Sequence, residues 1–210
     1  MSYEGIDVVI PARNEQDTIG QIVSVFKTHP AIGKIIVVVD FDTADDTAIL
    51  AVNAIVDNRH GWVLTPTARG KGQCVREGLK EVASKYVVFC DADVKGLTYD
   101  HVSLLIGNAI LDEPYVTIGV PDIPANYPTE RLWAWPWVSG QRCVPTALVR
   151  PLYLHGYLME TQINAAAKHT GLPLNFEWLK GLQSSYYMSE RRIKEMMKDA
   201  EWGHKYGILP

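Results

Sequence analysis

Tyr86-Val-Val-Phe-Cys-Asp-Ala-Asp-Val94 is the stretch that indicates the fold class most directly. Its β-branched and aromatic first half is typical of a buried strand rather than a helix. The run ends in Asp91 and Asp93, which would lie on one face of a regular strand. Two carboxylates about 4 Å apart repel each other by about 4 kcal/mol at an effective dielectric of about 20. A divalent cation that carries phosphates would remove this repulsion, whereas an isolated Asp-x-Asp is more often a solvated strand end.

On both sides of this stretch, apolar strands alternate with amphipathic helices. The predicted strands are residues 6–10, 34–40, 61–64, 86–90, 115–120 and 174–178. The first strand is expected to end at Pro11, and Asn14 is expected to be the N-cap of the first helix. Further helices are predicted after residues 46 and 72 and over 99–111, 157–169 and 189–205. This alternation predicts an α/β fold with a mostly parallel sheet sandwiched by helices.

Charged side chains collect where the predicted strands end. Asp40 follows one strand, Asp91 and Asp93 follow another, and Arg13 and Glu15 lie just past a third. Ligands of open α/β sheets bind beyond the carboxyl ends of the strands. The sequence therefore predicts a binding site at this edge, with Mg²⁺ or Mn²⁺ as the cation that oxygen ligands favour.

Composition sets the broad class. A formal charge of −4 gives no electrostatic case for bulk nucleic-acid binding. Cys74, Cys90 and Cys143 are widely spaced and odd in number, which favours reduced thiols in a cytoplasm-like compartment. No signal peptide and no uninterrupted apolar membrane span is evident. We expect a cytoplasmic protein that would at most touch a membrane peripherally through its charged C-terminal helix.

The character of the sequence changes at Pro121, where prolines become frequent. We therefore predict one domain over residues 1–210, with a donor-binding half (1–120) and an acceptor half (121–210). Trp133, Trp135 and Trp137 alternate in the second half. They would form either a stacking platform for a sugar, lipid or base, or an aromatic lid on the sheet, which we favour for at least two of them.

Four motifs resemble those of family-2 glycosyltransferases of the GT-A fold, in the same order and at similar spacing. They are Val9-Ile-Pro-Ala-Arg-Asn-Glu15, Val39-Asp-Phe-Asp-Thr-Ala-Asp-Asp-Thr47, Gly70-Lys-Gly72 and Phe89-Cys-Asp-Ala-Asp93. The resemblance covers the chain well from Gly5 to about Val94. It departs at Phe41-Asp42, where the family usually has a small or acidic residue followed by Gly.

The resemblance implies a nucleotide-diphosphate sugar donor and a divalent metal, and it implies roles for individual residues. Pro11, Ala12, Arg13 and Glu15 would line the base and ribose, Asp40 would accept a hydrogen bond from the base, and Lys71 would approach the phosphates. Asp91 and Ala92 would contact ribose and sugar, Asp93 with Asp91 would hold the metal, and Gly140 and Arg142 would bind the donor. Carboxylates suit N–H and hydroxyl donors, and an ammonium suits phosphate.

Ser139-Gly-Gln-Arg142 and Gly156-Tyr-Leu-Met-Glu160 resemble acceptor-side motifs of the same family. An inverting reaction needs a carboxylate base on the acceptor hydroxyl, and Glu160 is the candidate. The alternative is that Glu160 is an acidic first-turn residue favoured by the helix dipole. Similar elements occur in glucosyl-3-phosphoglycerate synthases, which retain configuration, so the stereochemistry stays open with inversion favoured.

Three further residues have competing interpretations. Lys71 lacks the context of a P-loop, so it is either a phosphate ligand, which we favour, or a solvated turn residue. Asp45 and Asp46 are predicted to begin a helix rather than to bind a ligand. His204 would complete the metal shell, although a solvated or capping histidine is the favoured interpretation.

The sequence thus predicts a metal-dependent transferase that moves a sugar from a UDP- or GDP-linked donor to an unidentified acceptor. The acceptor classes left open are a polyprenyl phosphate, a small metabolite, a protein and a modified nucleobase. A sugar-phosphate nucleotidyltransferase is less favoured because the loop after the first strand lacks glycines. A sugar-nucleotide-binding module without turnover remains the alternative of another class, and the absence of GxGxxG argues against a dehydrogenase.

Overall fold

The computed structural model describes residues 5–56, 61–65, 69–125, 127, 129–154, 156–184 and 205. In this part of the chain, helices enclose an eight-stranded sheet of order β3-β2-β1-β4-β7-β6-β8-β5. The strands are β1 (Ile6–Ala12), β2 (Ile32–Val39), β3 (Gly61–Leu64), β4 (Tyr86–Phe89), β5 (Val94–Lys95), β6 (Val116–Asp122), β7 (Gln141–Pro145) and β8 (Leu174–Ser184). The helices are α1 (Ile19–Thr28), α2 (Thr47–Ile55), α3 (Lys71–Glu81), α4 (Tyr99–Ile110), α5 (Thr146–Val149) and α6 (Met159–Thr170).

The sheet is mixed but mostly parallel, which confirms the predicted class. β1 pairs in parallel with β2 and β4, and β2 with β3. β6 and β8 are also parallel to each other. The pairings of β7 with its neighbours and of β5 with β8 are antiparallel.

Each face of the sheet has its own apolar layer, because side chains alternate along a strand. Ile6, Val8 and Ile10 of β1 pack with α1, α2 and α4 on one face. Val9 of the same strand packs with α3, α5 and α6 on the other. The sheet is therefore sandwiched by helices, as the alternation of elements predicts.

β7 lies at the centre of the sheet, between β4 and β6. β7, which contains Gln141 and Arg142, is not among the strands that the sequence predicted. The five residues carry no apolar run, so their strand character depends on pairing with both neighbours rather than on a local pattern.

Two local expectations at the first strand were also wrong. β1 continues through Pro11 to Ala12, because the paired segment with β4 stops at Val9 and the missing N–H of Pro11 is not needed there. Asn14 is not the N-cap of α1, which begins after Thr18. Instead Asn14 adopts φ 56°, in the left-handed region that asparagine tolerates, and Oδ1 accepts a hydrogen bond from Ala44 N.

Strands from both predicted halves of the chain share this one sheet, since β7 is inserted between two strands of the first half. In the described residues no helix is long and apolar enough to cross a membrane. The helix predicted over 189–205, with its apolar side, lies outside the described residues apart from Lys205.

Candidate active site

The loops after β1 and β2 are tied together at the carboxyl-terminal edge of the sheet. Glu15 N donates to Thr47 Oγ1 at 2.7 Å, and Gln16 N donates to Asp45 Oδ2 at 3.2 Å. Asp45 Oδ1 accepts from Thr47 N, at the start of α2, so Asp45 and Asp46 begin the helix as predicted. Arg13 is exposed at the rim of this pair of loops.

Asp40 organises the next part of the edge. It is buried directly after β2, and its backbone N–H donates to Ala12 O at 2.8 Å. Its carboxylate accepts from Asp42 N at 2.9 Å and from Gly70 N at 2.5 Å. Asp40 therefore ties the end of β2 to the start of α3, in addition to any contact that the resemblance implies with a base.

Lys71 is the first residue of α3 and lies between two carboxylates. Its Nζ is 2.6 Å from Asp91 Oδ1 and 2.6 Å from Glu160 Oε1, and the lysine side chain is only 20% exposed. Burial lowers the pKa of Lys71, but the charges and hydrogen bonds of Asp91 and Glu160 outweigh it and raise the pKa overall. The ammonium therefore stays charged at neutral pH.

Glu160 is brought to this cluster by α6. It is buried in the first turn of the helix, at the end that favours negative charge. Its carboxylate nevertheless points to Lys71, a residue 89 positions earlier in the chain. Glu160 can therefore be favoured by the helix dipole and also belong to the charged cluster.

Arg142 places a second cation beside the two carboxylates. The side chain is fully buried, and its Nε, Nη1 and Nη2 donate to Ser139 O, Asn164 Oδ1 and Trp137 O at 2.7, 2.6 and 2.6 Å. Burial lowers the pKa of Arg142 to about 10, while the charges of Glu160 and Asp91 act in the opposite direction. The guanidinium still remains protonated at neutral pH.

Asp91 and Asp93 follow β4 at the same edge of the sheet. The adjacent Cys90 donates from Sγ to Asp91 O at 3.5 Å. Burial raises the pKa of this thiol, and the charges of Asp91 and Asp93 raise it further. Between them Ala92 is buried, and its carbonyl accepts from Thr18 Oγ1 at 2.5 Å.

The donor set at this edge fits a magnesium or manganese ion that is completed by phosphates. Within the described ranges, no group of three or more His, Cys, Asp or Glu side chains would hold a metal without other ligands. One or two carboxylates with substrate phosphates are the usual protein share of such a site. Asp93 would therefore provide the principal ligand, since Asp91 is engaged with Lys71. His204 lies outside the described residues.

The aromatic segment packs against the sheet. Trp135 is buried, donates from Nε1 to Pro121 O at 2.9 Å and meets the Tyr127 ring edge-on. The Trp137 and Phe176 rings lie 5.0 Å apart at their centroids. The favoured interpretation of a packed aromatic lid is confirmed for Trp135 and Trp137, while the side chain of Trp133 lies outside the described residues.

Asn164 is a member of this cluster that the sequence analysis missed. It is buried in α6 one turn after Glu160, accepts from Arg142 and donates from Nδ2 to Trp137 O at 3.0 Å. The available signal was a polar residue four positions after Glu160, on the same face of a predicted helix.

The comparisons with known proteins agree with this architecture. The family model described as Glycosyl transferase family 2 matches residues 7–168. The chain is 30% identical over 166 residues to a glucosyl-3-phosphoglycerate synthase of Mycolicibacterium smegmatis, covering 70% of this chain and 54% of the relative. It is 33% identical over 93 residues to that of Mycolicibacterium paratuberculosis, covering 42% and 28%. The chain thus spans about half the length, or less, of these curated relatives.

Solved structures support the fold. A glucosyl-3-phosphoglycerate synthase of Mycobacterium tuberculosis in complex with Mn²⁺, UDP-glucose and phosphoglyceric acid superposes with a TM-score of 0.79 at 20% identity, over 99% of this chain and 81% of that one. The same enzyme with Mg²⁺ and UDP gives 0.78 at 19% identity, over 95% and 79%. At this level of identity the likeness shows that the two chains share the GT-A fold.

Proposed function

The chain belongs to glycosyl transferase family 2, and from this membership we propose that it moves a sugar from a UDP- or GDP-linked donor to an acceptor hydroxyl or phosphate. The observation that carries the proposal is the charged cluster at the carboxyl-terminal edge of the sheet. There Lys71 lies 2.6 Å from both Asp91 and Glu160. A partly buried cation at the edge where α/β folds bind nucleotides is suited to a diphosphate.

The proposed roles of individual residues are those that the resemblance implies. The proposed binding residues are Pro11, Ala12, Arg13, Glu15, Asp40, Lys71, Asp91 and Ala92. The resemblance also implies Gly140 and Arg142, but Arg142 is fully buried and hydrogen-bonded within the protein. Glu160 would take the proton of an acceptor hydroxyl, unless the acceptor is itself an anion that needs no base. Arg13 is exposed at the rim and Asp40 is buried at the same edge of the sheet, so the two residues proposed for the base differ in their exposure.

Mn²⁺ or Mg²⁺ held by Asp93 with Asp91 would act as a Lewis acid on the departing diphosphate. Lys71 would neutralise the remaining charge of the leaving group, because its raised pKa keeps the ammonium protonated. We further propose that residues 1–120 and 121–210 provide the donor and acceptor sides of a single domain, since β7 and α6 carry Arg142 and Glu160 into the site from the second half.

The donor is identified by screening UDP- and GDP-sugars with Mn²⁺, first by thermal shift and then by hydrolysis and transfer. UDP-glucose and 3-phosphoglyceric acid enter the panel first, since the relative of known structure binds UDP-glucose and phosphoglyceric acid. We expect one nucleotide sugar to be turned over. Stabilisation without turnover of any donor, across all acceptors tried, would favour a binding module instead.

Asp93→Ala tests the metal assignment. The variant should lose metal-dependent turnover, by about 100-fold or more. Because Asp93 is buried, the melting temperature of the variant is measured alongside its activity to show that the chain still folds. Asp100→Ala, an exposed carboxylate at the start of α4, is the matched control and should keep full activity. Undiminished transfer by Asp93→Ala would remove the residue from the metal site.

A further inference from the structure

Residues 137–140 form the turn that leads into β7, and this turn is held from several directions. Arg142 donates to the carbonyls of Trp137 and Ser139, and Asn164 donates to the same Trp137 carbonyl. Ser139 Oγ donates to Gly119 O in β6 at 2.5 Å. The turn is therefore fixed to α6 on one side and to the sheet on the other.

Arg142 is enclosed in this arrangement rather than directed at an open surface. Its side chain is 0% exposed, and each of its three nitrogens donates a hydrogen bond within the protein. A buried guanidinium needs such compensation, because removal from water costs several kcal/mol. These three partners are groups of the turn or of α6, so the direct effect of Arg142 is on the shape of the turn.

Gly140 ends the turn directly beneath the carboxylate of Asp91. A Cβ built on Gly140 would lie 2.5 Å from Asp91 Cγ and 2.6 Å from Oδ1. These separations are far below an ordinary carbon contact of about 3.5–4.0 Å. The Asp91 side chain therefore occupies space that is available only because residue 140 has no side chain.

The position of Asp91 matters because its Oδ1 also contacts Lys71, whose Nζ is 2.6 Å away. Any movement of the Asp91 carboxylate away from Gly140 changes this ion pair. Lys71 in turn contacts Glu160, which lies one helical turn from Asn164. The contacts thus form a closed ring that begins and ends on α6.

We propose that Arg142 and Asn164 are positioning residues that fix the turn 137–140, and that Gly140 seats the Asp91 carboxylate against the Lys71 ammonium. The inference rests on the proposed function, in which Lys71 and Asp91 bind the donor. In this inference Arg142 and Gly140 do not contact the substrate directly. They influence donor binding by fixing the position of the Asp91 carboxylate.

A double-mutant cycle tests the link between Gly140 and Asp91. Gly140→Ala should lower kcat/KM for donor turnover by about 10- to 100-fold, because a displacement of about 1 Å has effects of that size. In an Asp91→Ala background the same change should lower kcat/KM by less than about twofold, since the displaced carboxylate is already gone. Equal effects in both backgrounds would overturn the proposal.

Gly107→Ala is the matched control for the glycine substitution. Gly107 lies in α4, and a Cβ at this position would meet no atom within 4 Å. The variant should keep wild-type kcat/KM and have equal or slightly higher stability.

Asn164→Ala tests whether the hydrogen bonds of Asn164 to Arg142 and Trp137 O fix the turn 137–140. It should lower kcat/KM by about tenfold or more, and it should be non-additive with Gly140→Ala because both act on the Asp91 carboxylate. Asn108→Ala in α4, which loses one hydrogen bond to Thr117, is the control for general destabilisation and should keep its activity. An additive effect of Asn164→Ala and Gly140→Ala would show that Asn164 acts separately and would overturn its part of the proposal.

The same cycle measured on unfolding separates this inference from the proposed function. Gly140→Ala and Asp91→Ala should also be non-additive in the free energy of unfolding, whether or not a nucleotide sugar is turned over. If the two substitutions are coupled in stability but the wild-type protein turns over no donor, the proposed contact between Gly140 and Asp91 stands and the proposed transferase function is refuted. If the wild type turns over a donor but the two substitutions are additive in both stability and kcat/KM, the transferase function stands and the proposed link between Gly140 and Asp91 is refuted.

Discussion

At the scale of single residues, several buried polar groups each fix more than one segment of the chain. Asp7 of β1 is one example. Its carboxylate accepts hydrogen bonds from Lys34 N at 2.9 Å, Ala83 N at 2.8 Å and Ser84 N at 3.1 Å. One side chain of β1 therefore holds the start of β2 and the turn before β4, at the end of the sheet opposite to the site.

Asp7→Ala should lower the free energy of unfolding by about 2–4 kcal/mol, because it leaves several backbone donors without their acceptor. Urea denaturation measures this loss. Asp100→Ala, which removes an exposed carboxylate, should cost less than about 1 kcal/mol. A loss for Asp7→Ala no larger than that of the control would contradict the structural role.

The cysteines make a second residue-scale prediction. Burial raises the pKa of Cys143 to about 12, so its thiolate is disfavoured in the folded state relative to the unfolded state. Its contribution to stability is complete below the unfolded pKa of about 8.5 and is lost as the pH rises towards about 12. The folded protein should therefore become less stable with rising pH, at up to about 1.4 kcal/mol per pH unit for this thiol.

Cys143→Ala should make the pH dependence shallower between about pH 8.5 and 10.5. The measurement compares the free energy of unfolding of the variant and the wild type at several pH values in reducing buffer. Identical slopes for the two proteins would show that Cys143 does not titrate in this way.

At the scale of elements, the start of α3 decides where Lys71 points. Gly70 adopts φ 95° and ψ 153°, a conformation almost restricted to glycine, and its N–H donates to Asp40. The helix begins immediately afterwards with Lys71. The Asp40 carboxylate, directly after β2, thus fixes the start of α3 by accepting hydrogen bonds from Gly70 N and Cys74 Sγ.

Gly70→Ala should destabilise the protein by about 1–3 kcal/mol, although a Cβ there would meet no neighbouring atom. It should also lower donor turnover, because Lys71 would be displaced. Gly20→Ala in α1, which has equally open surroundings, is the control and should stabilise by up to about 1 kcal/mol. Equal stabilities for the two variants would refute backbone strain at Gly70.

α2 shows where an element-scale pattern was insufficient. Its apolar residues Ile49, Leu50, Val52 and Val56 are exposed, whereas Thr47, Ala51 and Ile55 face the core. The helix is apolar on most of its surface, so periodicity alone does not identify the buried face. The small Ala51 lies inside because α1 packs closely against this helix.

At the scale of the whole molecule, the site is assembled from segments distant in sequence. α3 contributes Lys71, the end of β4 contributes Asp91, β7 contributes Arg142, and α6 contributes Glu160 and Asn164. The donor would therefore bind to several segments at once, and binding should stabilise the fold as a whole.

A cognate nucleotide sugar with Mn²⁺ should raise the melting temperature by about 5–10 °C when its concentration is about 100 times its Kd. Differential scanning fluorimetry measures the shift. Lys71→Met should lose most of it, because the phosphates lose their ammonium, whereas Lys80→Met on the exposed face of α3 should keep it. An undiminished shift in Lys71→Met would exclude Lys71 from the donor site.

Local sequence determined much of the fold, because apolar runs, helical periodicity and strand-terminal aspartates are properties of short segments. They were sufficient to predict a mostly parallel sheet, the helices on both faces and the placement of Asp40 and Asp91 at one edge, whereas the place of Lys71 beside them was implied by the family resemblance. Tertiary structure decided what surrounds these residues. The burial of Arg142 in a central strand, the 89-residue separation bridged by the Lys71–Glu160 pair and the seat of Asp91 on Gly140 all depend on packing between distant segments. Short-range patterns contain no record of such contacts, because a polar residue has the same local signature whether it is solvated or enclosed.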